Sequence, residues 1–279
     1  MTSPDFSDHT VVVTGAAQGI GLTIASRFAE AGATVVVADL NADEAERAAQ
    51  SIVDAGHDAL PFAVDVTDEA QVQRLIACAQ EARNGLSVLV NNAAISTTKV
   101  IEETDADSWR RVIDINLTGP FLVSKAALPV LRANGGGRIV NVASVAAKRI
   151  SFNAAASYTA SKAGLVAFTR HLAYEAAPDG ITVNAICPGP VLSPMLQRTA
   201  SPETLRAREA SVPAGRLTTP DDQADAVLFL SSPSADMITG TALDVDGGAL
   251  LGWYDVSTYF ERRGVDRSTA AAGAGVVGA

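Results

Sequence analysis

The feature that most constrains the fold is a glycine-rich turn between an apolar run and a helical pattern. Val11-Val12-Val13 precedes the turn Thr14-Gly15-Ala16-Ala17-Gln18-Gly19-Ile20-Gly21, and apolar residues then recur at helical spacing over 22–29. A strand, a glycine turn and a helix in this order favour a dinucleotide phosphate site, because glycines let the backbone approach a pyrophosphate and the helix amides face it. The spacing is G-x-x-x-G-x-G, and on these residues alone a turn that binds nothing is equally compatible.

An acidic residue follows the second predicted strand. The β-branched apolar run 34–38 ends at Asp39, about 20 residues beyond the first glycines of the turn, where such a residue accepts hydrogen bonds from the adenosine ribose. Its carboxylate would repel a 2′-phosphate, so this position favours NAD over NADP. The alternative is that Asp39 only begins the turn Asp39-Leu40-Asn41.

Strand and helix patterns alternate along most of the chain. The predicted strands are 11–13, 34–38, 59–64, 88–90, 139–142, 181–186 and 242–245, and the predicted helices are 22–29, 43–55, 68–82, 107–132, 156–177 and 221–230. Gly119-Pro120 is expected to interrupt the fourth helix. The alternation predicts an α/β protein with a single-domain Rossmann fold, a doubly wound parallel sheet of about seven strands with helices on both faces. Ligands of such sheets lie at the carboxyl ends of the strands.

Composition limits the classes of partner. The chain has 279 residues, 48% of them hydrophobic, and a formal net charge of −10 with pI about 4.7, which disfavours nucleic acid and anionic membranes. Cys78 and Cys187 are too far apart for a disulfide framework or metal cluster, and His9, His57 and His171 are isolated. No apolar stretch is long enough to span a bilayer and no targeting pattern is present. We therefore expect a cytoplasmic protein with no metal, no membrane association and no nucleic-acid partner.

A reactive pair is predicted in the sequence Tyr158-Thr159-Ala160-Ser161-Lys162. Tyr158 and Lys162 lie four residues apart in a predicted helix, so their side chains leave the same face. A free tyrosine has a pKa of about 10, and a nearby ammonium favours the phenolate and so lowers that pKa. The pair can exchange a proton with an alcohol or carbonyl, and Ser144, at the end of the preceding strand, can hold the substrate oxygen. The alternative is an ordinary amphipathic helix with a snorkelling lysine.

Together these motifs resemble the short-chain dehydrogenase/reductase family, with NAD-dependent sugar or polyol dehydrogenases and 3-oxoacyl-acyl-carrier-protein reductases about equally close. The resemblance covers about 10–248. It is carried by Thr14-Gly15-x-x-x-Gly19-x-Gly21, Asn91-Asn92-Ala93-Ala94, Asn116, Ser144, Tyr158-x-x-x-Lys162 and Pro188-Gly189. Two positions depart from the family pattern, since Ala94 replaces a usual glycine and Ser193 stands where threonine is common.

The resemblance implies a role for each site residue. Asn116, Ser144, Tyr158 and Lys162 would form the catalytic tetrad. Tyr158 would be the acid/base and Ser144 would orient the substrate, while Lys162 would lower the tyrosine pKa and bind the nicotinamide ribose and Asn116 would anchor a proton-relay water. The candidate cofactor-binding residues are Gly15, Gln18, Gly19, Ile20, Gly21, Asp39, Leu40, Asp65, Val66, Asn92, Ala93, Tyr158, Lys162, Pro188, Gly189, Val191 and Ser193. Among them, Asp65-Val66 would meet the adenine, Asn92 would help fix the cofactor, and the turn 188–193 would hold the carboxamide.

The implied activity is an NAD-dependent oxidoreductase that interconverts a secondary alcohol and a ketone, on a small polar substrate similar to a sugar or polyol. Candidate substrate contacts are Ser144, Asn153, Tyr158 and Met195, within walls formed around Ser96, 145–153 and 190–213. Lys148 and Arg149 either read substrate hydroxyls or a carboxylate, or lie on a solvated loop. Two alternatives stay open, a 3-oxoacyl-acyl-carrier-protein reductase-like NAD(P)H-dependent ketone reductase and a non-catalytic dinucleotide-binding sensor.

The C-terminal region extends beyond the shorter family members. We expect one domain over 1–267, in which 249–267 forms an arm that packs on a neighbouring subunit or folds back on its own domain, followed by an Ala/Gly-rich flexible tail over 268–279. The resemblance implies a homotetramer assembled through the helices predicted at 107–132 and 156–177.

Overall fold

The computed structural model describes residues 4–151, 153–192, 196, 200–252 and 256–264. Its centre is a seven-stranded sheet in which every neighbouring pair is parallel. The strands are β1 (Thr10–Thr14), β2 (Thr34–Asp39), β3 (Ala59–Ala63), β4 (Leu86–Asn91), β5 (Gly137–Val142), β6 (Ile181–Pro188) and β7 (Ala242–Val245). Their order across the sheet is β3-β2-β1-β4-β5-β6-β7. The predicted fold class is confirmed.

Helices cover both faces of this sheet. They are α1 (Gly19–Glu30), α2 (Ala42–Asp54), α3 (Glu69–Glu81), α4 (Ala106–Ile113), α5 (Gly119–Ala133), α6 (Ala156–Ala176), α7 (Pro202–Ala210), α8 (Pro220–Ser231) and α9 (Val256–Glu261). Buried residues of α1, α2 and α8 pack in one apolar cluster, and those of α3, α5 and α6 pack in another. Alternate residues of each central strand enter the two clusters, as the period of a strand buried on both faces requires.

The strand order brings the carboxyl ends of β1, β4, β5 and β6 next to one another at the carboxyl-terminal edge of the sheet. Each parallel strand is connected to the next by a helix, so every carboxyl end points to this edge. The order reverses between β1 and β4, where the chain crosses from one half of the sheet to the other. A crevice at such a reversal is the expected ligand position of an open α/β sheet.

The predicted helix 107–132 is divided in the structure. α4 ends at Ile113, a single turn of π-helix spans Asp114–Thr118, and α5 begins at Gly119 with Pro120 in its first turn. The sequence placed the interruption at Gly119-Pro120, whereas the irregular backbone lies one turn earlier. Proline is tolerated in a first helical turn because its missing N–H has no partner there in any case.

Several predictions from the sequence fall outside the described residues. Ser193 and Met195 are not described, nor are residues 253–255 and 265–267 of the predicted arm and the whole predicted tail 268–279. The predicted arm therefore stays a prediction, of which the structure describes 249–252 and 256–264, including the short α9. Among the described residues, no helix is long and apolar enough to cross a membrane.

Candidate active site

The glycine turn between β1 and α1 forms a tight cradle. Gly15 has φ +63°, and a Cβ placed on it would stand 2.7 Å from Cα of Ala93. A Cβ on Gly21 would overlap the carbonyl oxygen of Gly15 and Nδ2 of Asn92. Gly19 also has a positive φ, +59°, but a Cβ there would meet nothing within 4 Å. Protein atoms thus leave no room for a side chain at Gly15 and Gly21, whereas no protein atom lies close to the position of a Cβ at Gly19.

The first turn of α1 offers backbone donors beside this opening. Gln18 is the N-cap residue and makes no side-chain capping hydrogen bond. The first N–H groups of a helix have no acceptor within the helix, and they lie at the positive end of its dipole. Free amides beside an open glycine fit a pyrophosphate, so the residues present at this site fit a dinucleotide.

Asn92, after β4, fastens the turn to the neighbouring strand. Its Nδ2 donates to the carbonyl oxygens of Thr14 and Gly15, each at 2.9 Å. The Thr14 hydroxyl accepts from the backbone N–H of Asn92 at 3.0 Å and of Ala93 at 3.2 Å. The structure therefore places Asn92 and Ala93 directly against the glycine turn.

Asp39 lies at the carboxyl end of β2, next to the same turn. One carboxylate oxygen accepts from the N–H of Ala17 at 3.1 Å, and the other accepts from the N–H of Asn41 at 3.1 Å. The side chain thus both begins the turn over 39–41 and reaches the glycine turn, and its hydrogen bonding to a ribose stays a prediction. Leu40 beside it is 66% exposed.

The remaining cofactor candidates lie at neighbouring strand ends. Asp65, after β3, accepts from the N–H and hydroxyl of Thr67 at 2.9 and 2.7 Å, and Val66 is buried. At the end of β6, a Cβ on Gly189 would stand 2.6 Å from Cα of Asp246, so this glycine is required for close packing. Val191 forms an isolated parallel bridge with Thr218.

Ser144 and Tyr158 meet through their side chains. Ser144 follows β5 and caps a short 3₁₀ turn, where its Oγ accepts from the N–H of Ala146 at 3.0 Å. Tyr158 comes from the first turn of α6, and its phenol is hydrogen-bonded to the Ser144 side chain. Because Ser144 Oγ already accepts from Ala146, its own O–H is available to donate to the phenolic oxygen.

Lys162 lies one turn along α6 and is 3% exposed. Its Nζ donates to the carbonyl oxygen of Val142 at 2.7 Å and lies 5.7 Å from the centroid of the Tyr158 ring. Burial lowers the pKa of this ammonium to about 8. The structure thus brings Ser144, Tyr158 and Lys162 together at the ends of β5 and α6.

The pKa of Tyr158 differs from the sequence expectation. Lys162 was expected to lower it, but burial raises it above its ordinary value of 10, and the Ser144 hydrogen bond opposes that increase only in part. The physical reason is desolvation, which disfavours the phenolate more than the single hydrogen bond favours it. Lys162 directs its Nζ to the carbonyl oxygen of Val142 rather than to the phenol. Burial also lowers the pKa of the Lys162 ammonium, so a smaller fraction of it is charged.

Asn116 lies in the π turn and is fully buried. Its Oδ1 accepts from the N–H of Ile95 at 2.8 Å, and its Nδ2 donates to the Ile95 carbonyl oxygen at 2.9 Å and to Ser161 Oγ at 3.1 Å. Ser161 Oγ in turn donates to the carbonyl oxygen of Tyr158 at 2.8 Å. The side chain of Asn116 therefore joins the segment after β4 to α6.

Sequence reasoning missed two parts of this network. Ser161 lies inside the Tyr-x-x-x-Lys motif, and its hydroxyl bonding to the carbonyl three residues earlier is an ordinary helix pattern, so only the contact with Asn116 reveals its position. The carbonyl oxygen of Val142 is a backbone atom, which no residue type marks. Both became visible only through the fold.

The residues expected to line the substrate region are partly used by the protein itself. Lys148 donates to Asp244 Oδ1 at 2.5 Å and to the carbonyl oxygen of Ala242 at 3.0 Å, and Arg149 donates to the carbonyl oxygen of Ala249 at 2.8 Å. Both cations are exposed, as a solvated loop requires, and they also anchor this loop to β7 and the segment after it, while their contact with a substrate stays a prediction. Asn153 is exposed, with its N–H donating to Ser151 Oγ at 3.3 Å.

Comparison with known proteins gives consistent matches over most of the chain. A family model described as enoyl-(acyl carrier protein) reductase matches residues 15–249. The chain is 43% identical over 245 residues to cis-4-hydroxycyclohexanecarboxylate dehydrogenase of Sinomonas cyclohexanicum, covering 87% of this chain and 97% of that protein. It is 40% identical over 246 residues to 2-(S)-hydroxypropyl-CoM dehydrogenase 3 of Xanthobacter autotrophicus, covering 86% and 96%. A solved structure of a 3-oxoacyl-[acyl-carrier protein] reductase with bound NAD from Brucella melitensis has a TM-score of 0.80 at 36% identity, covering 88% and 93%.

Proposed function

Because this chain belongs to the short-chain dehydrogenase/reductase family, we propose that it is an NAD-dependent alcohol dehydrogenase that interconverts a secondary alcohol and a ketone by hydride transfer. One observation carries the proposal. A phenol hydrogen-bonded to Ser144 lies beside the buried ammonium of Lys162, at the sheet edge that also holds the glycine turn.

The side chains perform the proton half of the reaction. In the oxidative direction, the Tyr158 phenolate takes the proton of the substrate hydroxyl, and Ser144 holds the substrate oxygen by a hydrogen bond. A nicotinamide cofactor held at the glycine turn would supply the hydride acceptor for this oxidation, whose product is the ketone. Lys162 lies beside this phenol, with its Nζ 5.7 Å from the ring centroid and bonded to the carbonyl oxygen of Val142, and it supports a phenolate only against the burial that raises the Tyr158 pKa. Asn116 positions α6 relative to the segment after β4 through Ile95 and Ser161.

NAD is the proposed cofactor. The glycine turn suits a pyrophosphate, and the carboxylate of Asp39 stands beside it at the end of β2, bonded to the N–H of Ala17. A fixed negative charge at this position favours ribose hydroxyls and repels a 2′-phosphate. The relative with bound NAD has the same overall fold and supports this preference.

The proposed substrate is a small polar secondary alcohol, such as a polyol or a hydroxylated ring. The name of the relative from Sinomonas cyclohexanicum states a ring that bears both a hydroxyl and a carboxylate. Asn153 and Met195 remain proposed contacts of this substrate. A 3-oxoacyl-acyl-carrier-protein reductase activity is the second candidate, because the solved relative with bound NAD has that name.

We also propose that the protein is a cytoplasmic homotetramer assembled through α4, α5 and α6. Apolar side chains stand exposed on these helices, Trp109 on α4 at 39% and Phe121 on α5 at 45%. Phe121 packs edge to face on Phe168 of α6, with ring centroids 6.2 Å apart. A partner helix would bury this aromatic surface.

A screen of NADH absorbance tests the function. The full-length protein is mixed with NAD⁺ and a panel of sugars, polyols, cyclic hydroxy acids and linear hydroxy acids, and with NADH or NADPH and 3-oxoacyl thioesters. We expect turnover with NAD⁺ and at least one polyol or cyclic alcohol. Turnover only of 3-oxoacyl thioesters would favour the second candidate. NAD binding without turnover of any compound would instead support a sensor.

A further inference from the structure

A groove of about 350 Å³ lies between the glycine turn and α2. We call it the α2 groove. Its lining from the turn and the start of α1 consists of Ala17, Gln18 and Leu22. Its lining from α2 is a single helix face, formed by Glu44, Arg47, Ala48 and Ser51. The groove thus opens beside the turn that fits a pyrophosphate.

Hydrogen bonds connect both sides of the α2 groove to Asp39. On one side, the N–H of Ala17 donates to Asp39 Oδ2 at 3.1 Å. On the other side, Asp39 Oδ1 accepts from the N–H of Asn41 at 3.1 Å. Asn41 is the N-cap residue of α2, and its Oδ1 accepts from the N–H of Glu44 at 3.3 Å. A ribose bound by Asp39 would therefore lie beside this groove.

The α2 groove contains one pair of opposite charges. Among the described residues that line it, Glu44 is the one carboxylate and Arg47 is the one cation. Nη2 of Arg47 lies 3.9 Å from Oε1 of Glu44, and its Nε donates to the carbonyl oxygen of Asp43 at 3.2 Å. The two side chains are 74% and 41% exposed, so their pairing adds little to stability. The lining has no net charge, and Asp39 beside it adds a negative one.

An acid in the first turn of a helix has a second explanation, which is its favourable interaction with the helix dipole. Both Asp43 and Glu44 lie in the first turn of α2 and serve that role equally. Of the two, Glu44 lines the α2 groove and Asp43 does not. Asp43 therefore provides the control that separates the helix dipole from the charge of the groove.

We propose that Glu44 is a specificity-determining residue for NAD over NADP, in addition to Asp39. This inference rests on the proposed NAD-dependent function. A guanidinium is a strong partner for phosphate oxygens, and Arg47 is the cation beside the proposed ribose position. Glu44 pairs with this guanidinium and repels a 2′-phosphate, so a cation that would otherwise attract NADP is neutralised.

Titration calorimetry of the full-length protein with NAD⁺ and with NADP⁺ tests this role without any turnover. The two compounds differ only in the 2′-phosphate, so the ratio of their Kd values isolates the contacts of that group. We expect Glu44→Gln to lower the Kd ratio of NADP⁺ over NAD⁺ at least fivefold, because the lining then carries one net positive charge. At about 0.5 M sodium chloride most of this gain should disappear, since exposed charges are screened.

Two further variants locate the effect. Asp43→Asn removes a charge from the same helical turn outside the groove, and we expect it to change the Kd ratio less than twofold. The double variant Glu44→Gln with Arg47→Gln makes the lining neutral again, so its ratio should return to within twofold of the wild type.

The outcomes separate this inference from the proposed function. No binding of NAD⁺ by the wild type would overturn both. Binding of NAD⁺ by the wild type with an unchanged Kd ratio in Glu44→Gln would overturn the role of Glu44 alone. An equal change in Asp43→Asn, or a gain that persists in the double variant, would also overturn that role and leave the proposed function standing.

Discussion

Gly21→Ala in the turn before α1 should destabilise the protein strongly. The added Cβ would overlap the Gly15 carbonyl oxygen and Nδ2 of Asn92, so either the turn or the Asn92 amide must move. Overpacking of a closed site costs about 1–3 kcal/mol. Each of the two hydrogen bonds from Asn92 Nδ2 to Thr14 and Gly15 contributes a further ~1 kcal/mol when lost. If these hydrogen bonds are partly lost, the free energy of unfolding falls by ~3 kcal/mol in total. This loss corresponds to a fall of about 6–12 °C in Tm for a domain of this size.

Gly19→Ala is the matched variant, because its Cβ meets no protein atom within 4 Å. Its cost is the left-handed backbone at φ +59°, about 1–2 kcal/mol for alanine. The methyl group enters the open side of the turn, where we place the pyrophosphate, so NAD⁺ should bind at least tenfold more weakly. Circular dichroism measures the two Tm values and calorimetry measures NAD⁺ binding. The reasoning is refuted by a Gly21→Ala variant as stable as the wild type, or by a Gly19→Ala variant with unchanged NAD⁺ affinity.

Three further predictions address individual side chains. Asp39→Ala should raise the ratio of kcat/KM for NADP⁺ over NAD⁺ at least tenfold, and an unchanged ratio in NADH and NADPH absorbance assays would contradict the proposed role of Asp39. Since the pKa of Lys162 falls from 10.5 to about 8 in the folded protein, the wild type should gain stability relative to Lys162→Met as pH rises from 8 to 10.5, by up to about 3 kcal/mol in urea unfolding. A constant difference across that range would show that the ammonium is not desolvated. Lys148→Met should cost less than about 1 kcal/mol, because the side chain is one-third exposed and solvent screens its ion pair with Asp244. A larger loss in the same unfolding assay would contradict this.

The order of elements was readable from the sequence because its signals are local. Every strand except β5 has a glycine, asparagine or aspartate at its last position or within the next two residues, β5 is followed by Ser144, and the helical periods between the strands are regular. The ends of elements were less accurate, since tertiary contacts decide them. β6 continues to Pro188 rather than stopping at 186 because Cys187 and Pro188 pair with Asp244 and Val245 of β7.

The sequence predicted which residues form the candidate site, but it did not predict their pKa values or their hydrogen-bond partners. The spacing of Tyr158 and Lys162 correctly put both side chains on one helix face. It could not show that burial raises the tyrosine pKa, because desolvation depends on every element packed around the phenol. The π turn that carries Asn116 and the anchoring of Lys148 to β7 were missed for the same reason, since both depend on contacts between distant segments.

The most direct test of the account replaces Tyr158 by phenylalanine, which removes one hydroxyl and keeps the ring beside Lys162. NAD⁺ binding by calorimetry and turnover of the best alcohol from the screen are measured on the same preparation. The account predicts that NAD⁺ affinity stays within about threefold of the wild type while kcat falls by about three orders of magnitude or more, because the acid/base group is gone. Full activity of this variant would contradict the assignment of the phenol as the acid/base.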